Sequence, residues 1–202
     1  MHFYEPAKGH GLPHDPFNAI VGPRPIGWIS SVAADGTVNL APYSFFNAFN
    51  YRPPIIGFAS VNEKDSLANA RATGEFVWNL ATRAQAEAMS ATSAMAGAEV
   101  DEFALAGLTK LPSTLVAPPR VAGSPVHMEC RVSQIVRLTA ADGTPAPSWM
   151  VFGEVVGVHI DEALLDEGVY QTGRARPIMR GGGTADYFEV SEANLFRMAR
   201  PG

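Results

Sequence analysis

Only one cysteine, Cys130, occurs in the 202 residues. That excludes an intramolecular disulfide and a multi-cysteine metal centre, and its place in the apolar stretch VHMECRV predicts a buried, inert thiol. Charge is scarce too: 17% of residues are Asp, Glu, Lys or Arg, the formal net charge is -5, and no run of Lys or Arg stands out. A chain of this balance repels phosphate backbones, so nucleic acid is not an expected partner. No segment approaches the roughly 20 apolar residues that cross a membrane as a helix. The start, MHFYEPAKGHGLPHDPF, has no basic region followed by an apolar one, so no secretory signal is expected and the expected location is cytoplasmic.

Familiar catalytic signatures are absent as well. There is no G-x-G-x-x-G after a strand, no G-x-x-x-x-G-K-[ST], no H-E-x-x-H and no G-x-S-x-G, which sets aside Rossmann, P-loop, zincin and α/β-hydrolase readings. No pair of carboxylates stands at a meaningful spacing. Chemistry, if present, is therefore expected to come from a bound cofactor. His2, His10 and His14 lie near the N-terminus, but Gly11 and Pro13 break any helical i,i+4 pair, and no metal site is expected there.

What the chain does have is the composition of a folded domain: 47% hydrophobic residues, 9% aromatic, with 19 Gly and 16 Pro to make turns. Its length suits a single domain, expected over 19–202 behind an irregular arm over 1–18. The runs IGWISSVA and TVNLAPYSFF flank Asp35-Gly36 and predict a hairpin; PIIGFAS predicts a further strand. NEKDSLANARATG predicts a helix of about two turns, capped by Asp65 or Ser66 and closed by Gly74, with the strand EFVWNLA after it. Residues 82–97 are rich in helix formers and predict a second helix, and 100–105 a short third. LPSTLVAPPRVAGSP is expected to be a surface connection. SPVHMECRVSQIVRL and SWMVFGEVVGVHI, around a second Asp-Gly, predict a long antiparallel hairpin whose first strand alternates apolar residues with His127, Glu129 and Arg131. His127 is accordingly expected on a solvated or interface face, and His159 is read as structural. Six or more strands against two or three short helices predict a mainly β fold, an antiparallel barrel with helical insertions.

One constellation of side chains remains. Ser30, Ser31, Asn39, Ser44, Asn47, Lys64, Asp65, Ser66 and Asn69 stand among Trp28, Tyr43, Phe45 and Phe46. Neutral hydrogen-bonders among aromatic rings suit a planar heteroaromatic ligand, and a helix opening at Lys64-Asp65-Ser66 suits an anionic tail, which together point to a mononucleotide. The alternative stays open that these serines and asparagines cap backbone groups near turns.

PRPIGWISS (23–31), NLAPYSFFNAF (39–49), KDS (64–66) with Asn69, and GEFVWNL (74–80) resemble, in order, motifs of the flavin reductase-like, FMN-binding split-barrel family. DEF (101–103), AGL (106–108), SPVHMEC (124–130), GEVVGVHID (153–161), GLPHDPF (11–17) and RGGG (180–183) extend the likeness over nearly the whole chain. The resemblance implies a split β-barrel, a homodimer with noncovalent FMN near the subunit interface, and electron transfer from NADH or NADPH to flavin. The reduced flavin would serve a monooxygenase partner or another acceptor; a non-enzymatic FMN carrier or store is the alternative. Carried over by position, Trp28, Ser30 and Ser31 and the segment with Asn39, Ala41, Pro42, Tyr43, Ser44, Phe45 and Asn47 would line the flavin. Lys64, Asp65 and Ser66 would lie on the phosphate side, with Ser66 where many relatives have Thr, and Asn69 would also contact the cofactor. Arg180 and Gly181 would close over the cofactor, and no residue is implied to be catalytic in the strict sense.

Overall fold

The computed structural model describes residues 1–201. Seven strands form its main sheet: β1 (Gly27–Val32), β2 (Val38–Tyr43), β3 (Phe46–Tyr51), β4 (Pro54–Val61), β5 (Glu75–Asn79), β6 (Val126–Thr139) and β7 (Pro145–Ile160). All neighbours pair antiparallel, in the order β2-β1-β5-β6-β7-β4-β3. The two outermost strands, β2 and β3, are consecutive in the chain and separated only by Ser44 and Phe45. One stretch of backbone thus serves both edges of the sheet and closes it into a barrel. The run TVNLAPYSFF, expected as a single strand, breaks here for that reason: its first part pairs with β1 and the chain after Phe46 pairs with β4. At the break the Phe45 carbonyl still accepts the Ala59 amide at 2.8 Å.

Both Asp-Gly turns are built alike. The Asp35 carboxylate accepts the Thr37 amide at 2.9 Å and Asp142 accepts that of Thr144 at 2.9 Å, while Gly36 and Gly143 take φ of 92° and 85°. The barrel interior holds Ile29, Phe58, Phe76, Cys130 and Val151, all fully buried. Burial pushes the Cys130 thiol far above its ordinary range, as expected of an inert core cysteine. A second cluster, with Trp28, Leu40, Met89, Phe103 and Val121, lies on the other face of β1 and β2.

Helix α1 (Asp65–Thr73) follows β4 and ends at Gly74 in the left-handed region, whose amide bonds the Ala70 carbonyl at 3.1 Å. Its N-cap is Lys64, and neither Asp65 nor Ser66 caps it: Ser66 is turned into the protein. The second expected helix is shorter than 82–97. A 3-10 turn at Arg83–Gln85 leads into α2 (Ala86–Ala91), which stops at Thr92. There the Thr92 and Ser93 hydroxyls bond back to the Met89 and Ser90 carbonyls at 2.7 and 2.6 Å, competing with helix continuation. The third, α3 (Glu102–Leu105), is capped by Asp101, which accepts the Phe103 amide.

The 111–125 segment is more than a surface connection. Val121 is fully buried and the Pro119 carbonyl accepts the Ser30 hydroxyl. A small sheet joins Arg24–Pro25, Ile178–Arg180 and Tyr187–Glu189, with Arg24 opposite Arg180. Among the described residues no helix is long and apolar enough to cross a membrane.

Close packing between β7 and the barrel interior is tested at Gly153. A Cβ there would stand 2.5 Å from the fully buried Phe76 ring and 3.0 Å from the Cys130 Cβ. Gly153→Ala is expected to cost about 1–3 kcal/mol, read as a lowered urea midpoint at unchanged slope.

Candidate functional site

Strand alternation decides which of the expected site residues meet. On β1 and β2 the inward face carries Ile29, Ser31, Asn39, Ala41 and Tyr43, with Ser31 opposite Asn39 and Ile29 opposite Ala41. The Asn39 amide donates to the Ser66 hydroxyl at 2.7 Å and to that of Ser31 at 3.4 Å, and Asn69 donates to Ser31 at 3.1 Å. Ser31, Asn39, Ser66 and Asn69 therefore form one buried polar cluster between the hairpin and the first turns of α1. These hydroxyls and amides do not serve as caps. The Tyr43 hydroxyl lies close to Ser60 and Ser66 but forms no hydrogen bond, and burial raises its pKa. A helix start with its unpaired amides, beside Lys64, which has no carboxylate partner among the described residues, fits an anionic group. Asp35, Asp65 and Glu99 line the outer cleft of about 340 Å³ beside Asn39 and Asn69, which opposes an anion within that cleft; Lys64 lies outside its lining.

Trp28, Ser30 and Pro42 do not join this cluster. They occupy the opposite face by the same alternation: Trp28 is fully buried, with its indole N–H on the Thr92 hydroxyl at 3.0 Å. Trp28 belongs to the second core and the Ser30 hydroxyl bonds the Pro119 carbonyl, which corrects the expectation that these two side chains line a ligand; Pro42 lies on the same face as Trp28.

Past Tyr43 the chain turns outward. Phe45, Phe46 and Asn47 line a groove of about 640 Å³ with Phe49, Met150 and Phe152. Phe46 stacks on Trp78 at 5.6 Å between centroids, and Phe49 meets Phe152 edge-on at 5.1 Å. Gly27 makes room for this wall, since a Cβ there would stand 2.8 Å from the Phe46 ring. The Ser44 carbonyl accepts Arg24 Nε at 3.0 Å, and the guanidinium lies over the Phe45 ring at 5.4 Å. Arg24, whose side chain also lines the groove, escaped the sequence reading; an arginine within the apolar PRPIGW run was its available signal. Arg180 donates to the carbonyls of Asp186 and Thr184 and so shapes the glycine-rich loop, while Gly181 packs against Asp186. Neither lines the groove, but Arg180 is joined to it through its cross-strand neighbour Arg24.

His127 is not solvated. It is 4% exposed, beneath the 111–125 segment, with Nε2 on the Val121 carbonyl at 3.0 Å. A carbonyl only accepts, so Nε2 carries the proton and Nδ1 is left unpartnered. Beside it Glu129, fully buried, accepts the amides of Thr114 and Leu115 at 2.7 and 2.5 Å, and His159 Nε2 at 2.6 Å. Burial alone would raise the Glu129 pKa; these bonds hold it below the ordinary range. His159 is thus structural, as expected. Among the described residues no group of three or more His, Cys, Asp or Glu could hold a metal ion.

The architecture is an antiparallel split barrel with an aromatic groove at the break between β2 and β3. Residues 22–179 match the flavin reductase like domain model, and the chain belongs to that family. An uncharacterized protein of Aquifex aeolicus is 36% identical over 172 residues, covering 81% of this chain and 83% of its own. Among solved structures, nitrilotriacetate monooxygenase component B from Bacillus cereus is similar with a TM-score of 0.87, at 28% identity and 98% coverage of both chains. The 2-nitrobenzoate 2-nitroreductase of Pseudomonas fluorescens is similar with a TM-score of 0.80, at 30% identity, covering 92% of this chain and 88% of its own. The expected fold class and family are both as the sequence motifs implied.

Burial lowers the His127 pKa from 6.5 to about 4. The unfolded chain then binds the extra proton first, so this group leaves stability unchanged above about pH 6.5 and subtracts from it as pH falls toward 4. The loss is on the order of 2–3 kcal/mol. His127→Gln, which keeps a donor for the Val121 carbonyl, is expected to flatten the urea midpoint between pH 6.5 and 4.

Proposed function

We propose that the protein is an NAD(P)H-dependent FMN oxidoreductase. The observation that carries this reading is the placement, along 39–47, of a helix-start donor cluster at one end and an aromatic groove at the other. Phe45 bonds β4 at Ala59, and five residues further along lies Lys64, a reach of at most about 17 Å. The ring of the cofactor would lie against Phe45 and Phe46, with backbone groups of Ser44 to Asn47 along its edge. Its phosphate would meet Lys64 and the first amides of α1.

FMN, when bound, supplies the chemistry: it accepts hydride from a reduced nicotinamide and passes electrons on. The chain's part is positioning. Among the described residues Arg24 is the one charged side chain lining the groove, and no carboxylate, histidine or cysteine of theirs lines it, which suits a step needing alignment of two rings rather than a protein acid or base. Exposed Phe45 and Phe49, with Ile20 and Val21 at the groove and Tyr51 next along the strand, support a homodimer in which a second copy covers this face. A soluble, cytoplasmic setting goes with this reading. Its similarity to a monooxygenase component B supports delivery of reduced flavin to a monooxygenase. A second reading, reduction of a small aromatic acceptor at the flavin, is favoured by the aromatic groove and by the similarity to a nitroreductase.

Purified protein is expected to bind FMN and to oxidise NADH or NADPH when FMN is present; absence of both would end the proposal. Lys64→Ala is expected to weaken FMN by about 1.5–3 kcal/mol, roughly ten- to a hundredfold in Kd, in a flavin-fluorescence titration. Sedimentation is expected to give twice the 21.5 kDa chain mass, and a monomer would contradict the dimer.

A further inference from the structure

Arg24 is 9% exposed and, among the described residues, has no carboxylate within ion-pair distance; its bonds run to the carbonyls of Ser44, Val21 and Asn18. These use Nε and Nη1. Nη2 has no protein partner and is not among the sealed, unsatisfied atoms, so it remains open to a ligand. Directly across the small sheet stands Arg180, which likewise bonds only carbonyls. Its charge adds to burial in lowering the Arg24 pKa, the mark of two cations held together without a counter-ion. Buried charge of one sign is costly unless something neutralises it. The two buried carboxylates, by contrast, are bonded within the protein: Glu129 by two amides and His159, and Glu102 by the Leu40 amide.

The surroundings narrow the choice of anion. Arg24 forms part of a groove of about 640 Å³ whose other lining is apolar and aromatic apart from Asn47, large enough for two stacked planar rings. A bare inorganic anion would leave those walls uncovered, and a neutral aromatic would leave the guanidinium uncompensated. We propose that the groove takes an aromatic carboxylate, its ring against Phe45 and Phe49 and its carboxylate on Arg24 Nη2, with Arg180 supplying the second charge. This deepens the flavin-dependent reading by naming the class of small molecule bound beside the flavin.

Calorimetric titration of the FMN-loaded protein with benzoate, benzamide and acetate tests it. Benzoate is expected to bind at least tenfold more tightly than benzamide, which has the same shape without the charge, and than acetate, which has the charge without the ring. The preference over benzamide is expected to shrink several-fold in Arg180→Gln and in high salt. Because Phe46 stacks on Trp78, benzoate is also expected to change tryptophan emission. Equal affinities, no benzoate binding, or a preference unchanged in Arg180→Gln would overturn the proposal. If the arginines served the FMN phosphate instead, Arg180→Gln would weaken FMN and leave the benzoate to benzamide ratio unchanged, which also overturns it. Failure to bind FMN would count against the flavin reading alone, since the same titrations on flavin-free protein still decide between the three ligands.

Discussion

From Val38 to Tyr51 the backbone hydrogen-bonds first to β1 and then, beyond Ser44, to β4. Without this segment the five strands β1-β5-β6-β7-β4 would expose two rows of unpaired amides and carbonyls, and here one length of chain covers both. The switch forces a break at Ser44 and Phe45, and Arg24 grips that break through the Ser44 carbonyl. Everything functional follows from where the break falls. Before it, side chains point alternately into the barrel and meet α1; after it, Phe45 and Phe49 stand exposed at the groove.

Burial and charge are arranged unevenly around this segment. On the α1 side, neutral hydroxyls and amides satisfy one another and the Tyr43 hydroxyl alone is left over. On the groove side two guanidiniums share a small sheet with no acid between them. At the far end of β6, by contrast, the buried Glu129 carboxylate is fully bonded by the segment that covers it. The groove side is incomplete as protein alone. At the far end of β6 the carboxylate is complete, and the His127 neighbourhood, whose unpartnered Nδ1 is sealed in the protein as the Tyr43 hydroxyl is, is read as structure.

Much of the fold was legible because the signals were local. Asp35-Gly36 and Asp142-Gly143 mark their turns through an acceptor carboxylate and a positive φ, and Gly74 closes α1 as its position predicts. Long-range effects were not legible. Nothing local reveals that one strand-like run serves two edges, and the burial of His127 depends on Val121, six residues away and folded back over it. The polar cluster was half readable: Ser31, Asn39, Ser66 and Asn69 do converge, but Trp28 and Ser30, adjacent in sequence, fall on the opposite face because strands alternate. Arg24 was missed since its significance lies in the absence of a partner, which only three dimensions disclose.

Amide hydrogen exchange with and without FMN tests the account most directly, because it locates the ligand without relying on turnover. Protection is predicted at Ser44 to Asn47 and at the first turn of α1, residues 65–67, with no change around His127 and Glu129. Protection confined to another face, or none at these two places with FMN bound, would contradict it.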